Sequence, residues 1–195
     1  MAPEPEKEAR ELIDKLLVQA GWAVCNAKDA NIHASRGVAI REFPLKTGHG
    51  EADYLLYVDG KAAGVIEAKK TGHTLTGVEI QSDKYTKGLP AGLPLWHNPL
   101  PFAYESTGVE TRFTNNLDPA PRSRPVFAFH KPETLARWLD EARTYEASKP
   151  AVTGNPQLLL AADVAAEQRG ATFLERMQHI PALKEEGLWP AQVKA

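Results

Sequence analysis

Hydrophobic residues recur at helical spacing near the start of the chain and in strand-like runs after it. Ile13, Leu17 and Ala20 are three or four residues apart, which predicts a helix over residues 6–20 that ends at Gly21. Apolar runs predict strands at residues 38–45, 52–58, 61–69, 102–106, 110–114 and 126–129. Further helices are predicted over residues 74–88, 132–146 and, as one or two segments, 157–178.

A hairpin signal, Asp59-Gly60, separates the two most apolar strands. Both strands carry apolar residues on both faces, so helices should cover each side of the sheet. A helix, three strands, another helix and further strands predict an α/β sandwich with a mixed central sheet flanked by helices. A doubly wound nucleotide-binding fold is excluded because the early strands are joined by a hairpin.

The composition, with 43% hydrophobic and 25% charged residues, is that of an ordinary globular protein. Cys25 is the single cysteine, so no internal disulfide can form. The absence of a signal-peptide pattern and of a membrane-length apolar run predicts a cytoplasmic protein without a membrane partner. A net charge of −2 does not itself indicate nucleic-acid binding. Phosphate contacts need only a local basic patch, for which the candidates are Lys46, Lys70, Lys84 and Lys87.

The residues that carry chemistry lie on the two hairpin strands. Asp53 is on the first strand, and Glu67 and Lys69 are two apart on the second, where they share a face. Carboxylates can hold Mg²⁺, and a lysine can stabilise charge that develops on a phosphate, so this set suits phosphodiester hydrolysis. An E-x-K triplet alone is a weak signal that also fits an exposed strand end. Glu67, however, follows an apolar run, and charges there are rarely without partners.

A second pair lies on the helix predicted after the lysine strand. Gln81 and Tyr85 are four residues apart and therefore share a helix face. Taken alone, the pair is better explained as a solvent-facing glutamine beside a core tyrosine.

The run GEADYLLYVDGKAAGVIEAKK resembles the hairpin of PD-(D/E)XK nucleases in the form found in type I restriction R subunits. QSDKY resembles the Q-x-x-x-Y motif of the same nuclease subgroup. The opening helix and the segment PFAYESTGVETRFTNNLDPAPRSRPVFAFHKPETLARWL extend the resemblance over most of residues 6–140. It implies a restriction-endonuclease-like nuclease domain over residues 1–147.

The resemblance also implies a site. Asp53 and Glu67 would be ligands of Mg²⁺, which Mn²⁺ can replace, and the Ala68 carbonyl would be a further ligand. Lys69 would be the catalytic lysine. Gln81 and Tyr85 would support the site or contact DNA.

An acid from the first helix would complete this ligand set. Glu6, Glu8 and Glu11 compete for the role. At 100° per residue Glu6 falls within the apolar stripe of the helix and Glu11 points the opposite way, so Glu6 is the prediction.

The resemblance implies a DNA endonuclease of a type I restriction-modification enzyme, without sequence specificity of its own. Its partners would be double-stranded DNA, motor domains of the same full-length chain, and the methyltransferase and specificity subunits. Residues 148–186 would be a linker or helical extension. GLWPAQ within residues 187–195 resembles the entry to a superfamily 2 helicase motor, so ATP would be used only by the full-length subunit. The alternative is a non-cutting module that docks the motor or guides DNA.

Strand geometry adds a condition. In a regular hairpin with a two-residue turn, Asp53 would face Ile66, which would put Asp53 and Glu67 on opposite sides of the sheet. A shared metal ion therefore requires a three-residue turn with Gly60 left-handed, or a bulge or sharp bend near Asp53. We predict one of these irregularities, with the two carboxylates close enough to share an ion.

Overall fold

The structure, a computed structural model, describes residues 4–75, 85 and 88–148. Seven strands form one sheet in which spatial order follows chain order. They are β1 (Ala23–Asn26), β2 (Gly37–Pro44), β3 (Glu51–Val58), β4 (Lys61–Ala68), β5 (Phe102–Ser106), β6 (Thr111–Asn115) and β7 (Arg124–Val126). Helix α1 (Glu4–Gln19) precedes them, α2 (Pro132–Ser148) follows them, and a 3₁₀ turn (Ala27–Asp29) follows β1.

The sheet is mixed, as predicted. Strand pairs β1–β2 and β4–β5 are parallel, whereas β2–β3, β3–β4, β5–β6 and β6–β7 are antiparallel. Because β4 and β5 run in the same direction, their carboxyl ends meet at one edge of the sheet. The start of β3, antiparallel to β4, lies at that same edge.

Two hydrophobic clusters cover the two faces of the sheet. On one face α1 and α2 contribute Ile13, Leu17, Leu135 and Leu139, which pack with Tyr54, Ile66 and Phe102 of the strands. On the other face Leu55, Val65 and Ala103 pack with Tyr85, Leu89 and Leu100. Tyr85 and Gly88 are helical, so helical residues lie on both sides, as the apolar strands predicted.

The end of α1 is the one predicted. Gly21 has a φ of 91° and its N–H donates to the carbonyl of Val18, while the N–H of Trp22 donates to the carbonyl of Leu17. These two bonds form a Schellman motif, which satisfies carbonyls that the last helical turn leaves unpaired. The chain then reverses into β1.

The hairpin contains a bulge, but at the level of Leu56 and Tyr57 rather than beside Asp53. The turn itself has two residues, with Val58 opposite Lys61 and positive φ at Asp59 and Gly60, so the three-residue turn considered above is wrong. Tyr57 pairs with Ala62 but Leu56 pairs with Gly64, which leaves Ala63 as the extra residue of β4. Beyond the bulge the register advances by one, and its continuation sets Asp53 opposite Glu67 rather than Ile66.

A bend also lies at Asp53 itself. Tyr54 packs in the cluster beneath α1, yet Ala52, two residues earlier, packs in the cluster on the other face. Regular alternation would put both on one face. Glu42, between the flanking β2–β3 pairs Arg41–Tyr54 and Phe43–Ala52, has a φ of 47°, so both strands are irregular at this level.

The structure differs from the sequence-based predictions in one missed strand and in the bounds of the last strand. Strand β1 was not predicted. The last strand is Arg124–Val126 rather than residues 126–129, because Arg124 and Pro125 pair with β6, whereas Phe127 is exposed and Phe129 is buried in the core. Most of the helix predicted over residues 74–88, together with all predictions beyond residue 148, lies outside the described residues. Within the described part of the chain, no helix is long and apolar enough to cross a membrane.

Candidate active site

The predicted site residues that the structure describes gather at the edge where β3 begins and β4 ends. Asp53 Oδ2 accepts a hydrogen bond of 2.9 Å from the backbone N–H of Ala68, which ties the two strands together. Asp53 Oδ1 accepts a 2.6 Å bond from the guanidinium of Arg10 on α1. The same guanidinium contacts Glu42 Oε1 at 2.7 Å. One cation thus joins the helix to two carboxylates on neighbouring strands.

Arg10 is a site residue that the sequence analysis missed. It lies three residues before Ile13 and seven before Leu17, so a charge on the buried stripe of α1 was the available signal. Partial burial by itself lowers the pKa of Arg10. The carboxylates of Asp53 and Glu42 outweigh that effect and raise the pKa of Arg10 above its usual value.

Glu67 is held from two sides. Lys69 Nζ lies 3.5 Å from Glu67 Oε2, and the hydroxyl of Tyr85 donates a hydrogen bond to Glu67 Oε1. Tyr85 is 2% exposed and packs in the cluster on the face of the sheet opposite α1, which fixes its ring. The structure thus brings three predicted residues together, and Tyr85 contacts an acid as well as the core.

A further acid stands beside Glu67. Glu105 is its direct partner in the parallel β4–β5 register, so the two side chains share a face of the sheet. Glu105 is only 1% exposed. Burial raises the pKa of Glu105; nearby Lys69 opposes this shift and nearby Glu67 adds to it. The sequence analysis did not find Glu105, because only the pairing of β4 with β5 brings it to the site.

The donors at this edge have the chemistry that a hard divalent cation prefers. Asp53, Glu67 and Glu105 offer carboxylate oxygens, which Mg²⁺ and Mn²⁺ bind. Glu105 Oε2 is buried and has no hydrogen-bond partner among the described residues, so it is an acceptor available to a cation. In the arrangement the structure describes, no three Asp, Glu, His or Cys side chains converge as a metal-binding group.

The structure describes only some of the remaining predicted residues. Glu6 lies in α1, four residues before Arg10, but its side chain is outside the described part of the structure. Gln81, Lys84 and Lys87 are also outside it. Lys46 and Lys70 are exposed.

Comparison with known proteins gives one match. Residues 23–97 match the family model described as type I restriction enzyme EcoKI endonuclease subunit second domain. The matched segment runs from β1 through the β3–β4 hairpin and so contains Asp53, Glu67 and Lys69. No curated protein and no solved structure matches the chain.

Proposed function

We propose that this chain, whose residues 23–97 match the model of the type I restriction enzyme EcoKI endonuclease subunit second domain, is a metal-dependent DNA endonuclease domain without sequence specificity of its own. Its substrate is double-stranded DNA. In the full-length subunit it works beside ATP-driven motor domains and with methyltransferase and specificity subunits.

The observation that carries the proposal is the placement of the hairpin residues at the end of the sheet where β3 begins and β4 ends. Asp53 is bonded to the backbone beside Glu67, and Lys69 Nζ lies 3.5 Å from Glu67 Oε2. The side chains of Asp53, Glu67 and Lys69 remain 17%, 18% and 32% exposed, so a phosphate can approach them. Two acids and a lysine that are partly accessible at a strand edge suit backbone cleavage better than core packing.

Each residue has a distinct role in this proposal. Asp53 and Glu67, with the carbonyl of Ala68, would hold Mg²⁺ or Mn²⁺. A cation bound there supplies polarisation of the phosphate and activation of a water molecule. Lys69 stabilises negative charge at phosphorus, and Tyr85 orients Glu67 through its hydroxyl.

The test is incubation of plasmid DNA with the chain and Mg²⁺ or Mn²⁺, with EDTA as the metal-free control. We expect nicked and linear products from plasmids of unrelated sequence, and no products with EDTA. Asp53→Ala, Glu67→Ala and Lys69→Ala should each abolish cleavage while keeping the folded circular dichroism spectrum. Lys28→Ala is the matched control, because Lys28 is exposed on the 3₁₀ turn.

The competing function is a non-cutting module that docks the motor domains or guides DNA. It predicts binding of DNA or partner subunits that does not depend on metal and survives Asp53→Ala. Because a type I enzyme cuts as a complex, the same three variants are also assayed in the assembled enzyme. Cleavage that persists there in any two of them would rule out the catalytic assignment.

A further inference from the structure

Phe127 is an aromatic side chain that the fold leaves in water. It follows β7 and is fully exposed, and within the described part of the chain no other Phe, Tyr or Trp is classed as exposed. Phe129, two residues later, is 4% exposed and packs against Tyr104 in the core. Because the ring of Phe127 is not buried, packing of this domain does not explain its presence.

Phe127 leaves the sheet at the same edge as the candidate site. Strands β4 and β7 run in the same direction, and their ends are linked by successive register partners, which are Ala68, Ser106, Thr111 and Val126. Phe127 therefore follows Val126 as Lys69 follows Ala68. Three strand spacings separate the two ends, which is about 14 Å, or about four nucleotide spacings along a DNA strand. One DNA molecule can contact both.

The segment around this ring is basic. Residues 119–131 carry Arg122, Arg124 and Lys131 but no Asp or Glu, in a chain whose net charge is −2. Arg124 pairs with Asp118 at 3.2 Å, yet its side chain is 49% exposed. Arg122 and Lys131 are exposed and form no ion pair with another described residue. Local positive charge beside a free aromatic ring is complementary to phosphates and nucleobases.

We propose that Phe127 stacks on an unpaired base of the DNA bound at the candidate site, while Arg122 contacts a phosphate of the same DNA. This rests on the proposed function, because it takes DNA as the partner. A ring reaches the face of a base only where the base is unpaired, so the contact favours DNA with a single-stranded stretch over an intact duplex. Stacking accepts any base, since every base has a π face, and this agrees with the proposed lack of sequence specificity.

The experiment measures binding of the 195-residue chain to labelled DNA by fluorescence anisotropy, with EDTA present so that no metal-dependent cleavage occurs. One DNA is a duplex with a single-stranded gap of about ten nucleotides, and the other is an intact duplex of the same length. We expect the wild type to prefer the gapped DNA. Phe127→Ala should bind gapped DNA about fivefold or more weakly, because one stacked base is lost, and should bind intact duplex like the wild type.

Further variants separate stacking from other contacts. Phe127→Trp keeps an aromatic face and should bind gapped DNA like the wild type, whereas Phe127→Leu keeps apolar volume without a π face and should bind as weakly as Phe127→Ala. Arg122→Gln should weaken binding to both DNAs and reduce its dependence on salt concentration, since a phosphate contact is lost. Val18→Ala, which shortens a 60% exposed residue of α1, is the matched control and should bind like the wild type.

Unchanged binding of gapped DNA by Phe127→Ala or by Phe127→Leu overturns the proposal. A wild-type chain without affinity for either DNA overturns it as well. Plasmid cleavage tests the proposed endonuclease separately. If the wild type cuts plasmids but Phe127→Ala binds gapped DNA equally well, only the role of Phe127 fails. If the wild type binds gapped DNA through Phe127 and does not cut, only the endonuclease activity fails.

Discussion

Arg10 donates a 2.6 Å hydrogen bond to Asp53, so that a guanidinium rests on a carboxylate proposed to bind metal. The side chains of this pair are 22% and 17% exposed, and the interaction is therefore only partly screened by water. Because Arg10 also contacts Glu42, its one positive charge is shared between two carboxylates in the metal-free protein.

Replacing Arg10 should change metal affinity and the stability of the metal-free protein in opposite directions. Arg10→Met keeps the aliphatic volume and removes the charge. We expect Mn²⁺ to bind about tenfold more tightly, since a competing cation worth about 1.4 kcal/mol is gone. The metal-free protein should lose about 1–3 kcal/mol, because Asp53 and Glu42 lose their partner. Calorimetric titration and urea unfolding measure the two effects.

The control for that variant is Arg36→Met. Arg36 pairs with Asp59 at 3.2 Å, but the two side chains are 53% and 41% exposed. An exposed pair of this kind contributes little, so stability should change by less than about 1 kcal/mol and Mn²⁺ affinity should not change. Equal Mn²⁺ affinity in Arg10→Met and wild type would show that the guanidinium does not compete with the ion.

Tyr85 offers a test of how far the orientation of Glu67 matters. Tyr85→Phe keeps the buried ring and removes the hydroxyl that donates to Glu67. Residues that orient a metal ligand usually contribute about 10- to 100-fold in activity, so cleavage should fall by that amount and by less than in Glu67→Ala. Plasmid cleavage rates measure both.

Tyr57→Phe provides the comparison, because Tyr57 packs in the same cluster and lies near the turn at the other end of β3. It should cut at the wild-type rate. A loss in Tyr85→Phe as large as in Glu67→Ala, with folding intact, would mean that Tyr85 acts directly on the substrate. Gln81→Ala is likewise predicted to weaken cleavage less than loss of either acid.

His130 should make the fold sensitive to acid. Its ring accepts or donates at 2.7 Å to the hydroxyl of the buried Tyr104 and packs against Phe113 and Trp138. Burial lowers the pKa of His130 below its usual value. The unfolded chain therefore binds a proton more readily than the folded one, and stability falls as the pH drops below about 6.5 and through the lowered pKa.

We expect the stability of His130→Gln to depend less on pH than that of the wild type between pH 7 and 5. The measurement is urea unfolding at several pH values. His97→Gln, which alters an exposed histidine, should retain the wild-type slope. A slope in His130→Gln as steep as in the wild type would show that other groups cause the acid sensitivity.

The hairpin illustrates what the sequence can predict about this fold. The apolar runs and Asp59-Gly60 are local signals, and both strands lie where those signals put them. In a regular register Asp53 and Glu67 would lie on opposite faces of the sheet. A site that contains both side chains therefore also required an irregularity. Its position at Ala63 could not be predicted, because a small apolar residue in a strand carries no mark of being unpaired.

Features that depend on distant pairing escaped prediction. Strand β1 has four residues without clear alternation, and it forms because β2 offers a parallel edge. Glu105 reads in the sequence as an acid in a short strand, and only the pairing of β4 with β5 sets it beside Glu67. Both follow from contacts between segments separated in the chain, which local propensity does not contain.

Gly64 should be the position in β4 that tolerates substitution least, because the neighbouring strand β5 passes close to it. A Cβ at Gly64 would lie 2.5 Å from the carbonyl oxygen of Phe102 on β5, a backbone atom that cannot turn aside. Gly64→Ala must therefore push β5 away from β4, and three residues further along this pair are Glu67 and Glu105. We expect a loss of about 1–3 kcal/mol in stability and weaker Mn²⁺ binding.

Gly92→Ala separates this effect from backbone strain, because Gly92 has a φ of 84° but no atom within 4 Å of an added Cβ. That variant should lose about 1 kcal/mol with Mn²⁺ affinity intact. Wild-type stability in Gly64→Ala would mean that β5 can move freely, and the close pairing of Glu67 with Glu105 would then not be fixed by the sheet.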